Sequence, residues 1–286
     1  MTISLQSRRK KLRAPASGPL ADLEARVSPV WWDEIFDELY LKTDGDVVEN
    51  AELTRREIDL FLELLPLPKN AKIVDVCCGQ GRHALELARR GFANLVGIDR
   101  SAFLLQQARL RAQAAGLAVQ FHAGDARALP LAGESIEVAL VLGNSFGYFE
   151  HASDDEAMLR DIHRVLRTSG KLLLDVSDGN HVRQRFEPRS WEWIAEDMFT
   201  CRERALSAAG DQLITREMTT HVERGVIADR FYAERLYDGM KMNALLTRSG
   251  FSVLESPAQF ASISTRNQDL GMMAQRLVFV AQKLPG

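Results

Sequence analysis

Cysteine is scarce in this chain: Cys77, Cys78 and Cys201 are its three in 286 residues. Two are adjacent and lack the spacing of a zinc site. An odd count without a framework excludes a disulfide scaffold and points to a reducing, cytoplasmic setting. No apolar run approaches the ~20 residues that span a bilayer, so no membrane partner is expected. The N-terminus has charges but not the apolar stretch of a secretory signal. Excess positive charge is missing as well. Lys and Arg number 36 against 39 Asp and Glu, a net charge of -3, which leaves no electrostatic footprint for nucleic acid. The one basic run, Arg8-Arg-Lys-Lys-Leu-Arg13, leads into Ala-Pro-Ala-Ser-Gly-Pro and belongs to a disordered tail over residues 1–30.

What is present is an alternation of strand and helix patterns. Trp32, Ile35, Phe36 and Leu39 have helical spacing, and a second helix is expected from a Thr54/Glu57 capping box to Pro66. Strands are expected over 71–77, 94–99, 118–122, 136–142 and 171–176, with helices over 82–90, 101–114 and 154–167. Ser153 and Glu156 suggest another capping box, and Gly170 the residue that closes that helix. Strands rich in Val, Leu and Ile between amphipathic helices predict an α/β fold with a doubly wound parallel sheet. After Asp178 the pattern changes. Three extended runs, 196–206, 212–223 and 226–237, predict a small antiparallel β insert, followed by a helix over 239–249 and an edge hairpin of strands 251–256 and 275–281. The implied organisation is a helical lid over 31–70, a core over 71–186 and 238–286, and an acceptor-binding cap over 187–237.

The segment Lys72-Ile-Val-Asp-Val-Cys-Cys-Gly-Gln-Gly-Arg-His83 reads as a buried strand, a glycine turn and a helix. Gly79 and Gly81 let the backbone approach a ligand, and the following helix points free N–H groups at it. Acids close three successive strands: Asp75, Asp99 and Asp125. This is how an α/β sheet holds an adenosine-bearing cofactor. Asp99 can take both ribose hydroxyls, and Asp125 an exocyclic adenine amine beside the Ala126 N–H. Gly79-Gln-Gly-Arg-His-Ala84 also satisfies the dinucleotide pattern G-x-G-x-x-A. Against that reading stand Asp75, which repels a pyrophosphate but welcomes an amino acid moiety, the third acid Asp125, and the terminal hairpin in place of a second mononucleotide-binding half.

These pieces resemble the class I S-adenosylmethionine-dependent methyltransferases. The matching segments are Val74-Asp-Val-Cys-Cys-Gly-Gln-Gly-Arg82, Val96-Gly-Ile-Asp99 with Ser101, Gly124-Asp-Ala-Arg127, Leu166 to Asp175, and Leu277 to Lys283. The resemblance implies a Rossmann-like seven-stranded sheet of order 3-2-1-4-5-7-6 with the last strand antiparallel, and S-adenosyl-L-methionine as cofactor. Cys77 stands where the family motif has its first glycine. The implied cofactor set is Asp75, Cys77, Gly79, Gly81, Asp99, Arg100, Asp125, Ala126, Gly143 and Asn144; no metal is implied.

In that family the segment Leu142-Gly-Asn-Ser-Phe-Gly-Tyr-Phe149 lines the floor between cofactor and acceptor. Asn144, Phe146, Tyr148, Trp191, Arg230, Tyr232 and Tyr237 are the acceptor-binding candidates, and Tyr148 and His151 the catalytic ones. Each has a plainer alternative. Tyr148 and Phe149 fit a core under the next helix, and His151 an exposed loop. His83 fits helix packing better than base catalysis. Trp191 and Trp193 anchor the insert or wall a pocket; Arg230 and Tyr232 share a strand face that is either solvated or turned to the acceptor; Trp31, Trp32 and Tyr40 form a lid or pack on the sheet. The expected activity is methyl transfer to an O, N or C atom of a small-molecule metabolite, by a chain that forms a possible homodimer. An NAD-dependent oxidoreductase and a non-catalytic cofactor-binding module are the alternatives.

Overall fold

The computed structural model describes residues 18–266 and 270–284; the basic run near the N-terminus lies outside them. Residues 18–30, expected within a disordered tail, are ordered instead: a 3-10 turn at Glu24–Arg26 follows Leu23, which is buried against Ile214 and Ala233. The chain continues through a second 3-10 turn, Trp31–Asp33, and two brief helices, α1 (Tyr40–Thr43) and α2 (Gly45–Val48). The single helix expected from Trp32 to Leu39 is therefore broken. Asp37 accepts from the Leu39 and Tyr40 N–H groups and restarts the chain, while Trp31 turns inward against Phe36, Tyr148 and Tyr232.

Helix α3 (Ala51–Leu64) begins a turn before the expected capping box. Asn50 is its cap, accepting from Leu53 N at 3.0 Å. Thr54 is thus inside the helix, bonded back to the Asn50 carbonyl, and Glu57 is fully buried. Local pattern could not place Glu57, because its partners are far away in the chain. Arg82, His83 and Arg276 all reach its carboxylate, and Arg276 also pairs with Asp175. Burial alone would raise the Glu57 pKa, but Arg82 and Arg276 outweigh it and hold the carboxyl well below the usual range. His83, buried beside two guanidinium groups, is pushed down to about 4 and is neutral.

The core follows as β1 (Lys72–Val76), α4 (Arg82–Arg89), β2 (Asn94–Asp99), α5 (Ala102–Ala114), β3 (Gln120–Ala123), β4 (Ile136–Val141), α6 (Ala152–Val165) and β5 (Leu166–Ser177). After α7 (Gly179–Arg185) come β6 (Arg189–Ala195), β7 (Met198–Leu206), β8 (Gln212–His221) and β9 (Gly225–Arg235). The chain closes with α8 (Gly239–Arg248), β10 (Phe251–Val253), β11 (Ala258–Ala261) and β12 (Gln275–Lys283). The main sheet has the order β10-β12-β5-β4-β1-β2-β3, parallel except where β12 meets β5, β10 and β11. This is the order the family resemblance implies, with β11 as an additional edge segment. Alternation along the strands feeds both faces. Val74, Val76, Ala139, Val141, Leu172 and Leu174 pack under α6 and α8, and Ile73, Leu95, Val138, Leu140 and Leu173 under α3 and α4. Each fully buried Leu or Ile contributes about 1.5–3 kcal/mol.

Helix α6 has no capping box at Ser153. It starts at Ala152 from an uncapped His151, and Glu156 instead pairs with Arg160 and Arg248. Nor does Gly170 close that helix. The chain passes from α6 directly into β5, whose register against β4 jumps so that Leu166 faces Ile136 and Lys171 faces Val138. Gly170 sits in this bulge, where a Cβ would lie 2.8 Å from the Arg167 carbonyl. The insert is a four-stranded antiparallel sheet, β6-β7-β8-β9, one strand more than the three expected runs. Its extra strand, β6, hides its pattern by turning Glu192 inward and leaving Trp191 and Trp193 exposed.

Glu57→Ala leaves Arg82 and Arg276 buried without their shared counter-charge. It is expected to cost about 3–5 kcal/mol, seen as a lower urea midpoint at unchanged slope. A midpoint equal to that of the wild type would remove this cluster from the fold's main supports.

Candidate active site

Strand β1 ends in a run of left-handed backbone: Cys77 at φ 60°, Gly79 at 54° and Gly81 at 78°. Gly81 starts α4 against Phe121, whose ring would meet an added Cβ at 2.8 Å, so the turn is pressed onto β3. The turn is tied to the next strand. Cys78 N donates to the Ile98 carbonyl at 3.0 Å, and Gly79 N to Asp99 Oδ2 at 2.7 Å. Asp99 Oδ1 accepts from Ser101 N at 2.8 Å, and Ser101 caps α5 while its hydroxyl donates to the Phe36 carbonyl. Burial raises the Asp99 pKa against these donors.

Beside this turn lies a cleft of about 870 Å³. Val76, Cys77, Gly79, Asp99, Asp125 and Ala126 line its strand side, with Leu104 and Met158 giving apolar walls. Asp125 is engaged on both oxygens. Arg127 donates to it from its backbone N, Nε and Nη2, and Arg100 reaches Oδ2 at 3.1 Å. The Arg127 bond, aided by Arg100, holds its pKa below the usual value. Arg100 also pairs with Asp33 at 2.7 Å and lies 4.6 Å from the Trp32 ring centre. Arg127 covers Phe149 at 4.6 Å, and Trp32 meets Phe149 edge-on. One end of the cleft is thereby closed by aromatic rings between guanidinium groups. Behind the turn, Asp75 is buried. The Ala84 N–H bonds to its carboxylate, and its Oδ2 has no hydrogen-bond partner among the described residues.

A second cavity of about 1000 Å³ shares Phe36, Tyr40 and Tyr148 with the cleft. Its floor is the loop after β4, including Gly143 and Asn144, and its roof is the inner face of the insert. Asn144, left-handed at φ 59°, joins the two: its side-chain N donates to Glu234 Oε1 at 3.1 Å and its O accepts from Ser177 N at 2.8 Å. Arg202 lies between Glu217 at 2.9 Å and Glu192. Arg230 and Tyr232 face this cavity, Arg230 bonded to Asp37 at 2.6 Å. Tyr148 is pushed well above its ordinary pKa by burial and by the charge of Glu234, so it remains a neutral hydroxyl.

Of the expected cofactor residues, Gly143 and Asn144 line this second cavity instead of the cleft, and Asp75 and Gly81 line neither. Four of the acceptor and catalytic candidates also lie elsewhere. His151 is an exposed residue at the start of α6 near Glu150, and Trp191 is 59% exposed on the insert's outer face. Phe146 is buried in the core against Tyr237, whose hydroxyl donates to Asp155 at 2.7 Å. Tyr237 falls beyond the end of β9, so it does not share the face of Arg230 and Tyr232. Among the residues the sequence reading missed are Asp44, Arg202, Glu217 and Glu234. The signal was available: Arg202 with Arg204, Thr215 with Glu217, and Arg230 with Tyr232 and Glu234 recur at period two, which puts a polar face on one side of the insert.

Known proteins agree with this geometry. Residues 73–170 match a family model described as a methyltransferase domain. A putative methyltransferase of Bacillus subtilis is 25% identical over 76% of this chain and 86% of its own length. A demethylmenaquinone methyltransferase of Thermus thermophilus is 36% identical over 42% of this chain and 51% of its own length, so the chain spans about half of that relative. An S-adenosylmethionine-dependent methyltransferase structure from Clostridium acetobutylicum aligns with a TM-score of 0.68 at 16% identity, over 87% of this chain and 97% of that one, a likeness of fold. Sheet order and glycine turn define a Rossmann-like enzyme for a nucleoside cofactor. The chain carries a methyltransferase domain over residues 73–170 and is similar to the class I S-adenosylmethionine-dependent methyltransferases, a similarity that supports S-adenosyl-L-methionine as its cofactor. The cleft has room and chemistry for such a molecule: Leu104, Met158 and Ala126 give apolar walls for a base and Asp99 a carboxylate with spare lone pairs, while Asp75 lies behind the turn and does not line the cleft.

Asp99→Ala removes the acceptor of two backbone N–H groups at the turn. It is expected to lower stability by about 1–3 kcal/mol, measured by denaturant unfolding without cofactor; an unchanged midpoint would mean that the turn holds itself.

Proposed function

We propose that the methyl group goes to a small molecule held in the second cavity. The observation that carries this reading is the cavity itself: it opens on the cofactor cleft at Phe36, Tyr40 and Tyr148, and the insert covers it. A concave pocket roofed by the insert suits a ligand that buries much of its surface, not a flat RNA or protein face. The balance of 36 cationic and 39 anionic side chains supplies no phosphate-binding surface. The similar demethylmenaquinone methyltransferase is named for a small acceptor. The free cysteines suit a reducing cytoplasm.

S-adenosylmethionine brings a methyl already activated on a sulfonium, so proximity and orientation supply most of the acceleration. In this reading Asp99 takes the ribose hydroxyls, and Leu104, Met158 and Ala126 hold the adenine. Asp75, buried behind the turn, provides the charge opposite the amino acid end. The adenine amine expected at Asp125 competes with its longest bond, Arg100 at 3.1 Å. Residues 31–70 close over the cofactor through Trp32 and Asp33, and residues 187–237 cap the acceptor. Tyr148, neutral at the junction, orients the acceptor with its hydroxyl and does not act as a base.

The test is to offer labelled cofactor with total RNA, total protein and a small-metabolite extract from the source cell. Label is expected in the small-molecule fraction, and its saturable, Asp99-dependent appearance in RNA or protein would overturn the reading. Asp99→Ala is also expected to weaken S-adenosylhomocysteine binding roughly 10–100-fold in calorimetry; an unchanged affinity would put the ribose elsewhere.

Asp75 adds a pH dependence. Burial, against the pull of Arg82, pushes its carboxyl up to about 7. A cationic amino group prefers the ionised form, so acidification protonates the site and weakens binding. From pH 7.5 to pH 6, S-adenosylhomocysteine affinity is expected to fall by up to about tenfold per unit, and Asp75→Asn to flatten the profile. An equally steep profile in that variant would assign the effect to another group.

A further inference from the structure

The insert buries charge where a sheet normally buries apolar side chains. Five carboxylates line the acceptor cavity, those of Asp44, Asp46, Glu192, Glu217 and Glu234, against the guanidinium groups of Arg202, Arg204 and Arg230. The arginines are largely committed. Arg202 serves both Glu192 and Glu217, Arg230 serves Asp37 from outside the cavity, and Arg204 is held by the Glu187 carbonyl and the Ser190 hydroxyl. Among the described residues, Asp44 and Glu234 have no ion pair. Asp44 accepts only a Thr43 hydroxyl at 2.8 Å. Glu234, 9% exposed, has Oε1 bonded to Asn144. These two acids come from opposite sides, one between α1 and α2 and one on β9, and Asn144 fixes Glu234 beside the floor loop that borders the cofactor cleft.

We propose that the acceptor is a cationic amine whose ammonium is held between Asp44 and Glu234, and that Glu234 takes its proton before methyl transfer. This deepens the small-molecule methyltransferase reading and rests on it. A neutral alcohol in the cavity would leave Asp44 and Glu234 either unpaired or protonated, whereas an ammonium lets both carboxylates ionise against a positive charge. Burial, with the charge of Asp44, pushes Glu234 up to about 8, and burial with Glu217 pushes Asp44 up to about 6. An acid near 8 is matched to an amine, so the proton passes between them with little penalty. The balance is complete. The N–H proton moves to Glu234 Oε2, the freed nitrogen lone pair forms the new N–C bond, and the C–S bond breaks with its electrons on sulfur. A methylated ammonium and a neutral thioether result. The neighbours that set this proton's position are Asp44, Arg204, Asn144 and Tyr148.

The experiment uses the wild-type chain saturated with S-adenosylhomocysteine and four probe pairs of like shape: benzylamine and benzyl alcohol, cyclohexylamine and cyclohexanol, glucosamine and glucose, tyramine and tyrosol. Binding is read by calorimetry and by saturation-transfer NMR. In at least one pair the amine is expected to bind roughly tenfold or more tighter than the alcohol. Glu234→Gln and Asp44→Asn are each expected to weaken that amine by roughly tenfold while S-adenosylhomocysteine binding stays within about threefold of wild type. Alcohols that bind as well as amines, amines that fail to bind while S-adenosylhomocysteine does, or amine affinity untouched by either substitution would overturn the proposal. If a variant does not fold, the wild-type comparison of amine and alcohol still decides. Failure of the wild type to bind S-adenosylhomocysteine would instead overturn the methyltransferase reading.

Discussion

Glu57 brings a negative charge to the centre of the molecule, and two distant segments close on it. Arg82 comes from the start of α4, directly after the glycine turn. Arg276 comes from β12, and His83 completes the shell as a neutral ring. Arg276 continues to Asp175 at the end of β5, whose Oδ2 accepts from Gly143 N at 3.2 Å. The chain of contacts therefore runs from the N-terminal helix, under the cofactor turn, to the floor of the acceptor cavity. Charges this deeply buried give little net stability compared with apolar packing, but an unpaired member is expensive. The arrangement thus fixes relative position: α3, α4, β5 and β12 must meet at one point or leave a charge uncovered.

A second constraint joins the two sheets. The floor loop after β4 is held on one side by Ser177 through Asn144, and on the other by β9, through Glu234 and through Arg235 N, which donates to the Gly147 carbonyl at 2.8 Å. Arg235 also reaches the Phe149 carbonyl and Asp155. The insert is therefore tied to the loop that lies between the cleft and the second cavity. Tyr148 stands at that boundary, touching Trp31 and Phe36 from the N-terminal segment. Cleft, cavity and lid consequently share one small set of aromatic rings.

Much of the core was legible from the chain alone. The strands of the parallel sheet, the glycine turn after β1, and the acids at 75, 99 and 125 all follow from local rules: alternation, the need for positive φ, and a carboxylate at a strand end. The antiparallel insert was visible as extended runs between turns. Element ends were harder. Thr54 and Ser153 both have the spacing of a helix cap, yet Asn50 caps α3 and His151 leaves α6 uncapped, because Glu57 and Glu156 have distant arginines to meet.

What the sequence by itself determined is the part of the fold that forms the cleft. Its residues lie on consecutive strands whose spacing is set by the repeat of strand, turn and helix, so neighbours in the pattern become neighbours in space. Only the tertiary structure decided the second cavity. Asp44, Asn144 and Glu234 come from three separate stretches of chain, and no local periodicity brings them together. It also sent Trp191 to the outer face, Tyr237 to the core and His151 to the surface. Those side chains have the chemistry of a site, but where a side chain points is decided by which sheet face is covered, and that depends on packing between distant parts of the chain.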